Sequence, residues 1–134
     1  MEVEHKILLV DDDHFYRALI TALFSASTYD LKTKPSFFRP DEFNLIPNFD
    51  LIILDYHLHP KNGMQISEFL WQFYKKILII IVSADKDESL KLEAVGLPNI
   101  RGIVDKELGP HKLLKVVEDV FKSLRNSPNY RFKG

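Results

Sequence analysis

The chain contains no cysteine, which excludes a disulfide framework and thiolate metal sites and fits a reducing compartment. It also lacks a block of charge of one sign: 18 basic residues stand against 19 acidic ones, for a formal net charge of −1. No surface that would track a phosphate backbone or an anionic membrane is expected, so nucleic acid is not an expected direct partner. No apolar run approaches a membrane span. Met1 to Lys6 is too charged, and Ile7 to Val10 too short, to read as a secretory signal. These absences predict a soluble, unanchored protein with a cytoplasmic address. What is present is 134 residues, 46% of them apolar, enough for one domain with one core and little more.

Four short apolar runs stand out: Ile7 to Val10, Leu51 to Leu54, Ile77 to Val82, and Ile103 to Val104, with a weaker extended stretch at Leu31 to Lys34. Their length and β-branched content predict buried strands. Between them lie helical patterns with apolar residues at i, i+3, i+4, i+7. One comprises Phe15, Ala18, Leu19, Ala22 and Leu23; a second Ile66, Phe69, Leu70 and Phe73; a third Leu113, Leu114, Val117, Val120, Phe121 and Leu124. Asp87 to Val95 is a less regular helix, and Pro40 to Asn48, fenced by prolines, at best a short one. Apolar strands that alternate with amphipathic helices need cover on both faces, which predicts a doubly wound parallel α/β sheet. The domain is expected over 1–125, with 126–134 a tail or the start of a linker.

In open α/β sheets, ligands sit beyond the carboxyl ends of the strands, near the point where strand order reverses. The first strand runs into Asp11, Asp12 and Asp13, the third ends on Asp55, the fourth on Ser83, and the fifth runs through Asp105 into Lys106. In a five-stranded sheet of order 2-1-3-4-5 the first and third strands are neighbours, so chain order predicts that Asp11 and Asp12 face Asp55. Crowded carboxylates repel unless a cation compensates, and a hard divalent ion such as Mg²⁺ takes one or two carboxylates together with waters and phosphate oxygens. Lys106 adds a mobile positive charge and Ser83 a hydroxyl donor, suited to the equatorial oxygens of a transferring phosphoryl group. Asp55 is then left to attack. Asp13 is assigned as a helix cap. His57 and His59 stand before Pro60 on a loop with no regular geometry for zinc.

The set LLVDD, LIILD, IIIVSA and GIVDK, in that order and spacing, resembles the receiver domain of two-component response regulators over about Lys6 to Leu124. The resemblance implies a flavodoxin-like fold and a phosphorelay module rather than an enzyme with turnover, its chemistry confined to its own aspartyl phosphate. It implies Asp55 as phosphoacceptor, Asp11, Asp12, Asp55 and the His57 backbone carbonyl as Mg²⁺ ligands, and Ser83 and Lys106 as phosphoryl contacts. A sensor histidine kinase or phosphotransfer protein becomes the expected donor, and a downstream protein or attached output domain the expected target. A homodimer through the face of the fourth helix, fifth strand and fifth helix is a further expectation. In the loop after the acceptor, Gly63 is expected to turn the chain into the next helix, where a glycine permits a positive φ.

The chain departs from the family in several places. Glu107 stands where proline usually follows the lysine, and a cis bond before a non-proline residue costs about 2.5–4 kcal/mol, so a trans bond is expected. Ile103 replaces the usual switch aromatic. The connection from Gly96 to Gly102 looks long, and Asp85 and His57 occupy positions that in the family tune phosphoryl lifetime. Two other functions fit parts of the pattern. One is a phosphatase resembling the haloacid dehalogenase group, with Asp11 as nucleophile and Asp13 as general acid. The other is a receiver fold kept as a phosphorylation-independent interaction module.

Overall fold

Strands β1 (Lys6–Val10), β3 (Leu51–Asp55) and β4 (Leu78–Ser83) bury nearly every residue on both faces, as expected of parallel strands covered on both sides. With β2 (Asp30–Lys34) and β5 (Ile100–Asp105) they make one parallel sheet of order β2-β1-β3-β4-β5. This is the predicted doubly wound, flavodoxin-like arrangement. The computed structural model describes residues 4–84 and 96–126; the expected helix at Asp87–Val95, Asp85, and the tail from residue 127 onward lie outside that range. The face expected to mediate a homodimer includes that helix, so it too falls partly outside.

Side-chain alternation along the strands sorts the core into two layers. Leu8, Val10, Ile52, Leu54, Ile79 and Ile81 meet helix α2 (Gly63–Phe73) and a 3₁₀ helix at Pro40–Asn48. Ile7, Leu9, Leu51, Ile53, Ile80 and Val82 meet α1 (His14–Phe24) and α3 (Pro110–Arg125). No helix among the described residues is long and apolar enough to cross a membrane.

Three expectations need correction. The core face of α1 is Tyr16, Ile20 and Phe24, with Leu23 at its edge, whereas Phe15 is 82% and Leu19 48% exposed. The outward set was the more regular apolar pattern, but a tyrosine, whose ring is mostly apolar, holds the inward position. Gly63 does not adopt a positive φ; among the described residues only Gly109 does. Gly63 is needed for space, since a Cβ there would lie 2.9 Å from the Asp55 carbonyl oxygen. The stretch expected as connection up to Gly102 is strand from Ile100 onward, and the register shift between Ile79 and Ile80 accommodates Arg101 as an extra residue.

The segment between β2 and β3 forms successive 3₁₀ turns. Pro40 opens it, where a missing N–H costs nothing, Pro47 interrupts its end, and the Arg39 N–H donates to Glu42 Oε1 at 3.0 Å.

Candidate functional site

The carboxyl ends of β1 and β3 lie side by side at the point where strand order reverses, with Val10 paired to Leu54. The residues that follow are therefore delivered to one edge. Asp11 is fully buried there and Asp55 is 5% exposed, while Asp12 faces solvent. One carboxylate oxygen from each of Asp11, Asp12 and Asp55 lies within 4.8 Å of the others, and among the described residues no other group of three His, Asp or Glu converges this way. His57 and His59 make no such group with Asp55.

Backbone and side-chain donors hold Asp11 in place. Its Oδ1 accepts the Asp13 N–H at 2.9 Å, and its carbonyl accepts Arg17 Nη1 at 2.7 Å. Asp13 caps α1, accepting the N–H groups of Phe15 and Tyr16 at 2.9 and 3.2 Å. That cap turns Asp13 away from chemistry and commits it to the helix.

Lys106 follows β5, and its Nζ lies 2.7 Å from Asp11 Oδ2 and 3.7 Å from Asp55 Oδ1. The contact to Asp11 is an ion pair without hydrogen-bond alignment, so this buried oxygen has no aligned donor. A buried carboxylate oxygen left in that condition is costly, and a bound cation is one way to satisfy it. The Tyr16 ring sits beneath the ammonium group, 4.5 Å from Nζ to the centroid. Lys106 is therefore bracketed by two carboxylates and an aromatic face. The Lys106–Glu107 bond is trans, since the described residues contain a single cis peptide, at His59–Pro60. The Asp105 side chain caps the turn, accepting the Glu107 N–H at 2.9 Å.

Ser83 is buried at the end of β4, one residue past Val82, the partner of Asp55, and is itself paired with Asp105. It reaches the same edge as the acidic group. His57 lies in the loop that leaves β3, and its N–H donates to Asp55 Oδ1 over 3.4 Å.

Burial, followed by the neighbouring charge of Asp11, pushes the Asp55 carboxyl above the usual carboxylate range; Lys106 and the His57 N–H oppose this, and Asp12 adds to it. Burial likewise raises the Tyr16 phenol, with Asp11 and Asp55 adding to the effect. The group thus carries an excess of negative charge that one lysine only partly offsets. All-oxygen donors and compressed negative charge suit a hard divalent cation that keeps some waters, such as Mg²⁺.

The sequence profile of the response regulator receiver domain matches residues 7–118. The chain belongs to the response regulator receiver family. Two-component response regulator ARR21 of Arabidopsis thaliana is 26% identical over 129 residues, covering 90% of this receiver and 19% of the plant protein. This receiver thus spans about a fifth of that relative's length. The signal receiver domain of an HD domain-containing protein from Pseudomonas fluorescens superposes with a TM-score of 0.79 at 21% identity, covering 93% of this chain and all of that one. The CheX–CheY–BeF₃–Mg²⁺ complex of Borrelia burgdorferi gives a TM-score of 0.75 at 24% identity, over 87% and 89% of the two chains.

Tyr16 and Arg17 were missed by sequence reasoning. The available signal was the spacing Tyr16, Ile20, Leu23, Phe24, a helical face one position out of phase with the set Phe15, Ala18, Leu19 and Ala22.

Proposed function

We propose that this receiver accepts a phosphoryl group on Asp55 from the phosphohistidine of a sensor kinase or phosphotransfer protein, with Mg²⁺ at the acidic edge. The observation that carries the reading is the convergence of Asp11, Asp12 and Asp55 oxygens within 4.8 Å beside Lys106. The Borrelia burgdorferi structure, whose complex includes BeF₃ and Mg²⁺, lends support from the same fold.

In the proposed reaction an Asp55 carboxylate oxygen forms an O–P bond as the donor's N–P bond breaks, and the imidazole leaves with the bonding electron pair. Asp11, Asp12, Asp55 and the His57 carbonyl would hold the cation, which when bound supplies positive charge against the phosphoryl oxygens. Asp11 contributes a buried carboxylate whose Oδ1 is fixed by the Asp13 N–H. Lys106 moves from Asp11 toward the phosphoryl oxygens, and the Ser83 hydroxyl donates to one of them. Leaving Asp11 for a new partner differs in energy between the two states, and that difference shifts the population of the surrounding loops. Residues 1–125 form the receiver in this reading, and 126–134 are a tail or the start of a linker to an output domain.

The dehalogenase-like reading finds no support, because Asp13, its required general acid, is tied into the cap of α1. Incubation with acetyl phosphate and Mg²⁺ tests the proposal. The chain should gain the mass of one phosphoryl group, and Asp55→Asn should gain none. Undiminished labelling of the variant contradicts the acceptor assignment, and absence of labelling despite Mg²⁺ binding favours the phosphorylation-independent interaction module.

A further inference from the structure

The 3₁₀ segment leaves an apolar cavity that the receiver site does not use. It has a volume of about 550 Å³ and lies between the segment after β2, the 3₁₀ helix, α2, and the loop that follows Asp55. Its walls are Phe37, Phe38, Phe43, Ile66 and Phe69. The Phe43 and Phe69 rings lie 4.9 Å apart between centroids, and Phe37 meets Phe69 at 6.4 Å with the planes nearly perpendicular. Phe37, Phe43 and Phe69 are only partly buried, so the cavity is an open, aromatic-walled cleft. Its volume falls in the range of small-molecule sites, and its lining matches their usual chemistry, mostly apolar with a few polar groups.

The polar lining has one sign. Arg39, His59 and Lys61 contribute to it, and no Asp or Glu does among the described residues. The Arg39 guanidinium is already occupied, with Nε 3.1 Å from Asp41 Oδ1 and Nη2 3.2 Å from Asp41 Oδ2. Lys61 is exposed and makes no ion pair among the described residues. An apolar ligand body would be held by stacking on the phenylalanines, and a single negative group would reach Lys61 and a His59 ring nitrogen.

We propose that this cleft binds a small aromatic acid, a flat apolar molecule carrying one carboxylate or sulfonate. The proposal is independent of the phosphoacceptor reading, since none of these residues belongs to the acidic site. The probe is 1-anilinonaphthalene-8-sulfonate, titrated into the full chain and followed by fluorescence, beside its neutral relative N-phenyl-1-naphthylamine. Both should bind saturably at one site, the sulfonate about tenfold more tightly, the size of one charge-assisted hydrogen bond. Lys61→Glu should erase that preference. Ser36→Trp, which places an indole at the mouth from an exposed position, should weaken both dyes at least about tenfold while circular dichroism stays unchanged. Phe15→Ser with Leu19→Ser removes the exposed apolar stripe of α1 and should change neither titration. The proposal is overturned by equal affinity for the two dyes, by a Lys61→Glu variant that keeps the preference, or by loss of binding in the α1 double variant. It is also overturned if sedimentation shows a dimer that excludes the dyes, for then a second copy covers the cleft.

Discussion

Lys106 is held by two carboxylates and an aromatic ring, and the consequences at the residue scale follow from which is removed. Asp11 attracts it at 2.7 Å, Asp55 at 3.7 Å, and the Tyr16 ring supports it at 4.5 Å. Tyr16→Phe keeps the ring and should leave phosphoryl acceptance close to wild type. Tyr16→Ala empties a position that is 9% exposed and should cost about 3–5 kcal/mol by analogy with other aromatic truncations, measured by urea unfolding. If Tyr16→Phe slows labelling as much as Tyr16→Ala, the hydroxyl matters more than the ring. Asp55 gives a prediction for pH. Its folded-state carboxyl titrates above the ordinary range, chiefly through burial and then through Asp11. Between the ordinary range and that raised value, the folded chain holds more protons at this site than the unfolded chain does, so stability falls as pH rises through the window. Thermal unfolding in the absence of divalent ions should show that fall, and Asp55→Asn should reduce it and be more stable than wild type at neutral pH. A wild-type stability that rises across the same window contradicts the assignment.

At the scale of elements, α1 has two apolar stripes, and only one meets the sheet. Ile20 is fully buried and Leu19 is 48% exposed. Ile20→Ala should cost about 2–5 kcal/mol, whereas Leu19→Ser should stay within roughly 0.5 kcal/mol of wild type, both measured by chemical denaturation. A large loss from Leu19→Ser would mean that the outward stripe packs against something in the folded chain. The strands were legible because burial on both faces imposes continuous apolar runs: Ile7 to Val10 and Leu51 to Leu54 leave little choice of structure. The phase of α1 was less legible, because the outward stripe is as apolar as the inward one and only packing against the sheet chooses between them. The β5 boundary was hidden for a related reason. A strand through Arg101 and Gly102 has no apolar run to announce it, and its start at Ile100 depends on a register shift against β4.

For the whole molecule, the acidic group follows from strand order more than from any single motif. Asp11, Asp55, Ser83 and Lys106 each end a strand or follow one, and the order β2-β1-β3-β4-β5 brings those ends to one edge. That much was readable in the chain. The aromatic cleft was not, since it depends on the 3₁₀ path of Pro40–Asn48, which local pattern alone leaves open. Three carboxylates against one lysine leave the fold strained by repulsion, so a cation that binds only the folded state should stabilise it. Mg²⁺ at about one hundred times its dissociation constant should add about 2.7 kcal/mol, read as a rise in unfolding temperature that Asp12→Ala largely removes. An equal rise in that variant would place the ion elsewhere. The central claim, that Asp55 receives the phosphoryl group, is tested most directly by locating the modified residue. Borohydride reduction converts an aspartyl phosphate to homoserine, and peptide mapping after labelling with acetyl phosphate and Mg²⁺ should find homoserine at position 55 and nowhere else. Homoserine at position 11 or 12, with Asp55 intact, would contradict the account.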